Sequence, residues 1–308
     1  MKNLLHTAGP KMKRLLILLL LIGIAGCTSV VPVEPPVTPV TPVPTPVPIA
    51  PRAQFLTRIM MHDNERRDYF LYVPVDVNPQ AGVMFVLHGF GGEARDLRVL
   101  GFEELADRLN MMIVYPQGLF NANADSTYWN ANFASGDDDF GFLLAIKDEL
   151  KEEYDVDRFN TYMTGISNGG YMVNAFMCAH PDEISLAINW IGSMNNATYN
   201  QCKEPLQVPY LHIHGTDDTT IPYDVPTMIP EFDTPGNIAY VVNHIASLNG
   251  HTQYVTTEYS VTTMKYEFID GTARVWLMEV QGMGHVPPIP AFVDFDVFSI
   301  IQDFIRSS

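Results

Sequence analysis

Gly165-Ile166-Ser167-Asn168-Gly169-Gly170 lies between a strand-like run, Phe159 to Thr164, and a helix-like run, Asn168 to Ala179. In a G-x-S-x-G turn the serine sits where a strand folds sharply into a helix, so its hydroxyl stands in the open above the sheet. The flanking glycines let the two backbones pass without a clash between Cβ atoms. A chain of this length and composition shows such a pentapeptide by chance about 0.1 times. The setting between strand and helix, more than the pattern itself, marks Ser167 as a candidate nucleophile.

Outward from this turn, strand and helix patterns alternate. Gln54 to Met61 and Asp68 to Val73 read as an antiparallel hairpin joined by the polar turn His62 to Arg67. Gly82 to Leu87 and Met111 to Tyr115 are continuous apolar strands, and Glu93 to Asn110 between them reads as a helix. Asp139 caps a helix through Tyr154, whose Phe142, Leu143, Ile146 and Leu150 have helical spacing. After the serine turn, Glu183 to Ile191 and Tyr210 to His214 are strands, Ile238 to Leu248 a helix, Arg274 to Val280 a strand, and Ala291 to Arg306 the closing helix. This order predicts an α/β domain with a mainly parallel, doubly wound sheet and an antiparallel N-terminal edge hairpin. Its site should lie at the carboxyl ends of the strands.

Three further strand ends carry side chains that an activated serine needs. Tyr210 to His214 runs into Gly215-Thr216-Asp217-Asp218-Thr219-Thr220-Ile221-Pro222-Tyr223, where either aspartate could orient a histidine, and where aspartate is also at home as a turn residue. Val280-Gln281-Gly282-Met283-Gly284-His285 follows the last strand, and its glycines let a loop bring His285 over the serine. Leu87-His88-Gly89-Phe90-Gly91-Gly92 follows the first buried strand. There the backbone N–H of Phe90, with that of Asn168, is suited to receive the charge that develops on a carbonyl oxygen during acyl transfer.

The chain order Ser, Asp, His is similar to that of α/β-hydrolases. Together with Leu87-His88-Gly89, the serine turn, the 214–223 loop and Gly284-His285, it resembles the LpqC, polyhydroxybutyrate depolymerase and feruloyl esterase group of secreted hydrolases, over roughly Asp68 to Ser308. That resemblance implies an α/β-hydrolase fold without a large lid, carboxylic ester hydrolysis by Ser167, Asp218 and His285, and no cofactor or metal. It selects Asp218 over Asp217 because the group's loop reads HGTxDxxVPY. Asn249-Gly250-His251 stands where the group often has Asn-Gly-Cys, and Val286-Pro287-Pro288 where it often has Trp-Pro after the histidine. Trp129, Trp190, Phe90 and Tyr223 are the remaining aromatic candidates for the acyl pocket, with core packing the better reading of Trp190.

The N-terminal stretch is of another kind. Lys11, Lys13 and Arg14 precede an apolar run, Leu15 to Ala25, and Ile24-Ala25-Gly26-Cys27 resembles a lipobox. Residues 1–27 are therefore expected to be a lipoprotein-type signal with lipidation at Cys27, and Thr28 after it favours the outer membrane. An outer-membrane lipoprotein or a secreted, extracytoplasmic protein follows, touching a membrane only through that anchor. Residues 28–51 are rich in Pro, Val and Thr, and Val31 to Pro51 holds nine prolines in 21 positions. Such a chain is an extended spacer of about 65 Å at ~3.1 Å per residue. The catalytic domain is then 52–308.

Without the leader, 14 basic side chains face 35 acidic ones, a formal charge of −21, which excludes nucleic acid as a partner. Cys178 and Cys202 remain, and outside the cytoplasm they are expected to form a disulfide. The partner so expected is an ester substrate, free or polymeric, met by a monomer. Feruloyl or acetyl esters of plant polysaccharide are the first reading, and polyester chains the second. A dipeptidyl-type peptidase is disfavoured because no propeller pattern precedes the domain. An inactive, surface-anchored binding protein on a hydrolase scaffold is the alternative from another class.

Overall fold

The computed structural model describes residues 52–78, 81–132, 136–156, 160–224 and 237–307. The expected signal, Cys27, the 28–51 spacer and Phe159 lie outside the described residues.

Among the described residues ten strands form one sheet, in the spatial order β1 (Gln54–His62), β2 (Glu65–Val73), β4 (Met111–Pro116), β3 (Gly82–Leu87), β7 (Thr161–Ile166), β8 (Leu186–Trp190), β9 (Tyr210–Gly215), β12 (Val275–Val280), β11 (Thr263–Phe268) and β10 (Tyr254–Glu258). Its centre is parallel: β4 (Met111–Pro116), β3 (Gly82–Leu87), β7 (Thr161–Ile166), β8 (Leu186–Trp190), β9 (Tyr210–Gly215) and β12 (Val275–Val280). Most positions of these strands are buried because helices cover both faces. On one face lie α2 (Asp139–Tyr154), α3 (Asn168–Ala179) and α5 (Ile238–Leu248), through side chains such as Phe142, Met172 and Val241. On the other lie α1 (Phe102–Leu109) and α6 (Val297–Arg306), through Phe102, Phe298 and Ile301. The architecture is the α/β-hydrolase sheet, with β1 (Gln54–His62) and β2 (Glu65–Val73) as the expected antiparallel edge hairpin.

Several boundaries differ from the sequence reading for identifiable reasons. The hairpin turn is only Asp63-Asn64, both left-handed at φ 49° and 64°, so β2 starts at Glu65. The segment expected as one helix, Glu93 to Asn110, breaks at Gly101, where φ is +103° and an added Cβ would meet the Phe298 ring. A 3-10 turn, Ala94–Leu100, precedes α1. Asp138, rather than Asp139, caps α2 by accepting from the Gly141 N–H at 2.9 Å. Asp139 turns inward instead and accepts from Arg67 at 2.5 Å and from the Asn130 N–H at 2.7 Å. Pro181–Glu183 is a 3-10 turn, so β8 begins at Leu186, and α6 begins at Val297 after the Asp296 cap.

The far edge of the sheet, β11 (Thr263–Phe268) and β10 (Tyr254–Glu258), runs antiparallel and has no counterpart in the sequence reading. β10 is exposed at every position and so has no apolar face to betray it. The small hairpin β5 (Leu119–Asn121) and β6 (Ser126–Tyr128) and the short helix α4 (Asn196–Gln201) were equally silent.

Cys178 in α3 is bonded to Cys202, which follows α4, across 24 residues. The bond ties the helix behind Ser167 to the segment that leads into β9. Closing a loop of that length restricts the unfolded chain by about 3 kcal/mol. Replacing both cysteines by serine should lower the melting temperature by about 6–12 °C, read by circular dichroism without reductant; an unchanged melting point would contradict this.

Candidate active site

β7 ends and α3 begins within one residue. Ser167 has φ +54° and ψ −116°, a conformation foreign to most L-residues. It holds because its N–H donates to the Trp190 carbonyl at 2.9 Å and its carbonyl accepts from the Tyr171 N–H at 3.0 Å. The backbones around it touch: a Cβ on Gly165 would strike the Gly169 carbonyl, and one on Gly169 would strike the carbonyl of Leu87 at the end of β3. The glycines of the motif are therefore spacers between backbones.

β9 and β12 are parallel neighbours in register, Gly215 opposite Val280, so their loops leave the sheet side by side. The loops are sewn together by Thr216 N–H to Val280 O (3.0 Å), Asp217 N–H to Met283 O (3.1 Å) and Gly282 N–H to the Thr216 hydroxyl (2.9 Å). A side chain at Gly215 would run into the Met283 carbonyl. This seam brings Asp218 Oδ2 to 2.7 Å from His285 Nδ1, and His285 Nε2 to 2.9 Å from Ser167 Oγ. Asp217 instead holds the Thr216 hydroxyl at 3.0 Å, outside this chain of contacts.

Asp218 is buried. Burial alone would raise its pKa, but hydrogen bonds from His214, His285 and the Ile221 N–H outweigh that and hold the carboxyl well below the usual aspartate value. Its Oδ1 accepts from the N–H groups of Thr220 and Ile221, both at 2.8 Å. The carboxylate is thus fixed on one oxygen and presents the other to the imidazole.

The loop after β3 is locked by His88, a residue the sequence reading quoted only as part of a motif. Its Nε2 accepts from the Gly118 N–H at 3.0 Å, which leaves Nδ1–H to donate to the Gly89 carbonyl at 2.7 Å. Burial pushes this imidazole's pKa down and keeps it neutral. Gly91 N–H donates to Thr127 O at 2.8 Å. Among the described residues, the N–H groups of Phe90 and Asn168 enter none of the backbone hydrogen bonds, and the latter is the first of α3, where no intrahelical acceptor exists.

These groups open on a cleft of about 560 Å³ lined by Phe90, Tyr128, Trp129, Tyr171 and Ile221, with Asn130, Asn132 and Asn195 as its polar side. Trp129 is buried in its wall: its indole N–H donates to His88 O at 3.0 Å, and its backbone is paired in both directions with the Asn168 amide, at 2.7 and 3.1 Å. Phe90 stands exposed at the rim.

Two aromatic candidates do not reach the cleft. Trp190 is fully buried on the α1/α6 side, stacked on Phe102 at 5.3 Å. Tyr223 turns away and donates to Glu279 at 2.6 Å in a separate hollow beside Tyr266. The sequence reading missed Tyr171, Asn195 and the pairing role of the Asn168 side chain. The helical spacing of α3 would have marked the first of these as one turn from Ser167.

A prolyl oligopeptidase family (Peptidase_S9) model matches residues 123–205, the part of the chain around the serine turn. The chain is 30% identical over 155 residues to an acetylxylan esterase of Coprinopsis cinerea, covering 48% of this chain and 41% of that protein. It is 27% identical over 171 residues to a probable feruloyl esterase C of Aspergillus terreus (51% and 57%). It is 24% identical over 262 residues to poly(3-hydroxyalkanoate) depolymerase C of Paucimonas lemoignei (71% and 58%). The resemblance to that group of hydrolases is thus found in these relatives as well. The chain spans between 22% and 59% of the length of the curated relatives it matches. By structure it is similar to the acetyl xylan esterase of Aspergillus awamori, with a TM-score of 0.61 at 13% identity over 83% of this chain and 100% of that one; the likeness is one of fold.

Two outcomes follow from the geometry. Gly169→Ala should force the β3 end and α3 apart and displace Ser167 by a fraction of an ångström to an ångström, slowing fluorophosphonate labelling of Ser167 about 100-fold; labelling at the parent rate would remove the close approach as a constraint. Because the Asp218 carboxyl is held well below the usual aspartate value, ¹³C spectra should show no protonation of that carboxylate between pH 7 and 4. Protonation in that window would contradict the fixed carboxylate.

Proposed function

We propose that the chain is a secreted serine carboxylesterase that cleaves carboxylic esters through an acyl-enzyme, with feruloyl or acetyl esters of plant polysaccharide as its substrates. The observation that carries this reading is the continuous contact Asp218–His285–Ser167, 2.7 and 2.9 Å, at the mouth of an aromatic cleft.

His285 Nε2 takes the Ser167 proton as Oγ attacks the ester carbonyl, and Asp218 keeps the Nδ1–H tautomer and stabilises the imidazolium. The backbone N–H groups of Phe90 and Asn168 receive the oxyanion, each such donor being worth ~2.7–4 kcal/mol in the transition state. His285 then protonates the leaving alkoxide. Water, deprotonated by the same imidazole, attacks the acyl carbonyl, the bond to Ser167 Oγ breaks as His285 returns its proton to that oxygen, and the acid leaves. Every proton and acyl transfer is accounted for by these side chains and water.

The substrate class rests on the cleft and on the relatives named for acetylxylan and feruloyl esters. Its size falls in the range of small-ligand pockets, with aromatic walls for an acyl group and three asparagines for hydroxyls. A polyester depolymerase is the second reading, favoured by the match to the depolymerase over 71% of the chain and by the exposed Phe90 at the rim. The proposed placement is extracytoplasmic, with residues 1–27 as signal, lipid at Cys27 and the 28–51 spacer carrying the domain away from the membrane.

Ser167→Ala should abolish fluorophosphonate labelling and reduce p-nitrophenyl acetate turnover at least about 10⁴-fold; parent-like turnover would end the assignment of Ser167 as nucleophile, and a parent protein that neither labels nor turns over the ester would be an inactive binding scaffold. Methyl ferulate, acetylated xylan and a polyester film tested side by side should give release from the first two. Clearance of the film alone would establish the second reading in its place.

A further inference from the structure

β9 is unusual for a central strand. Its sequence, Tyr210-Leu211-His212-Ile213-His214, places Leu211 and Ile213 in the core against α1 and α6, as expected of a buried strand. The alternate positions, which share the opposite face, hold a tyrosine and two histidines, all fully buried. Buried polar side chains are costly unless hydrogen-bonded, and these bond to one another in sequence. Tyr210 Oη lies 2.8 Å from His212 Nδ1, His212 Nε2 lies 3.2 Å from His214 Nδ1, and His214 Nε2 lies 2.8 Å from the Ile221 carbonyl and 3.3 Å from Asp218 Oδ2.

The direction of this chain is set from one end. A carbonyl and a carboxylate can only accept, so His214 Nε2 carries a proton. In a neutral imidazole its Nδ1 is then an acceptor, which requires His212 to donate from Nε2 and to accept at Nδ1 from the Tyr210 hydroxyl. Every donor in the row therefore points toward the 218–221 loop. That loop is held on its other side by the Thr220 and Ile221 N–H groups on Asp218 Oδ1. His214 closes the clamp by fixing the Ile221 carbonyl and by donating toward Oδ2, the oxygen that faces His285.

We propose that His214 is a positioning residue for Asp218, and that Tyr210 and His212 set its tautomer, so that a buried hydrogen-bonded row along β9 holds the carboxylate in line with His285. The inference rests on the reading of Ser167, His285 and Asp218 as the catalytic groups. Reversing the row would turn a His214 lone pair against both the Ile221 carbonyl and the Asp218 carboxylate, and the loop would have to open. His214 touches neither substrate nor the reacting atoms, so its loss acts through Asp218.

The test uses the full chain. In the parent protein, ¹⁵N spectra should show His214 as the neutral Nε2–H tautomer; an Nδ1–H form or an imidazolium would overturn the assignment, and this measurement needs no variant to fold. His214→Phe keeps a planar ring, somewhat larger, and removes the donor. It should lower kcat for p-nitrophenyl acetate about 10- to 100-fold with KM changed less than twofold, and should shift the far-downfield Nδ1–H proton resonance of His285. His214→Gln, which returns an N–H at similar reach, should recover most of that kcat. His212→Leu, two links from the carboxylate, should lower kcat in the same sense. A folded His214→Phe protein with the parent kcat and an unmoved resonance would overturn the proposal. Fluorophosphonate labelling of the parent and of Ser167→Ala separates the two claims: absent labelling in the parent sinks the catalytic reading itself, whereas normal labelling with an indifferent His214→Phe sinks only this one.

Discussion

A serine held at φ +54° and ψ −116° keeps that shape only where the surroundings leave it no cheaper alternative, and most of the site is the consequence of providing those surroundings. The strand before it and the helix after it pass at backbone contact, which restricts residues 165 and 169 to glycine. Behind them the buried Asn189 side chain ties the start of α3 to the turn after β8, donating to Gly170 O and accepting from Gly192 N–H, each at 2.9 Å. The Trp190 carbonyl then anchors Ser167 directly. Strain at one residue is thus distributed over three neighbouring strands, β3, β7 and β8, whose parallel alignment makes their ends coincide.

The same alignment solves the assembly problem for side chains 118 residues apart in the chain. β9 and β12 end level with each other, and their loops share backbone hydrogen bonds before either reaches the serine. Asp218 is therefore placed by β9 and its own turn, His285 by β12, and their relative position by the seam. The cleft walls are built differently: Trp129 and Tyr128 come from the segment around the β5–β6 hairpin, fastened to the elbow by the Asn168 amide and to the β3 loop by the indole N–H. A rigid sheet supplies Ser167, Asp218 and His285, and a hydrogen-bonded loop supplies the wall of the cleft beside them.

The sequence exposed the parts of this design that follow from local rules. Short continuous apolar runs such as Met111 to Tyr115 read as strands buried on both faces, and the periodicity of α2 showed its inner side. Ser167, Asp218 and His285 were legible because each lies just past a strand, although selecting Asp218 over Asp217 needed the family resemblance. What stayed hidden depends on tertiary context. β10 and β11 have too few buried residues to alternate visibly, Gly101 breaks a helix because the Phe298 ring occupies the space beside it, and Asp139 exchanges a capping role for Arg67. Trp190 and Tyr223 have the composition of a pocket lining but point into the core and toward Glu279. The alternation of Tyr210, His212 and His214 was in plain view and was read only as strand, since nothing local says that three polar side chains on one face will find each other.

His88 has a consequence beyond the shape of its loop. Its unprotonated nitrogen accepts from the Gly118 N–H, so a proton added there would set two donors against each other. Burial holds His88 and His212 below the imidazole value, about 6.5, that they recover on unfolding. Below that pH the unfolded chain takes up protons that the native molecule refuses, and the balance tilts toward unfolding from there downward. Asp218, whose carboxyl is also held down, surrenders its contribution only below about pH 3.9. Acid therefore reaches this architecture through its rings before it reaches its carboxylates.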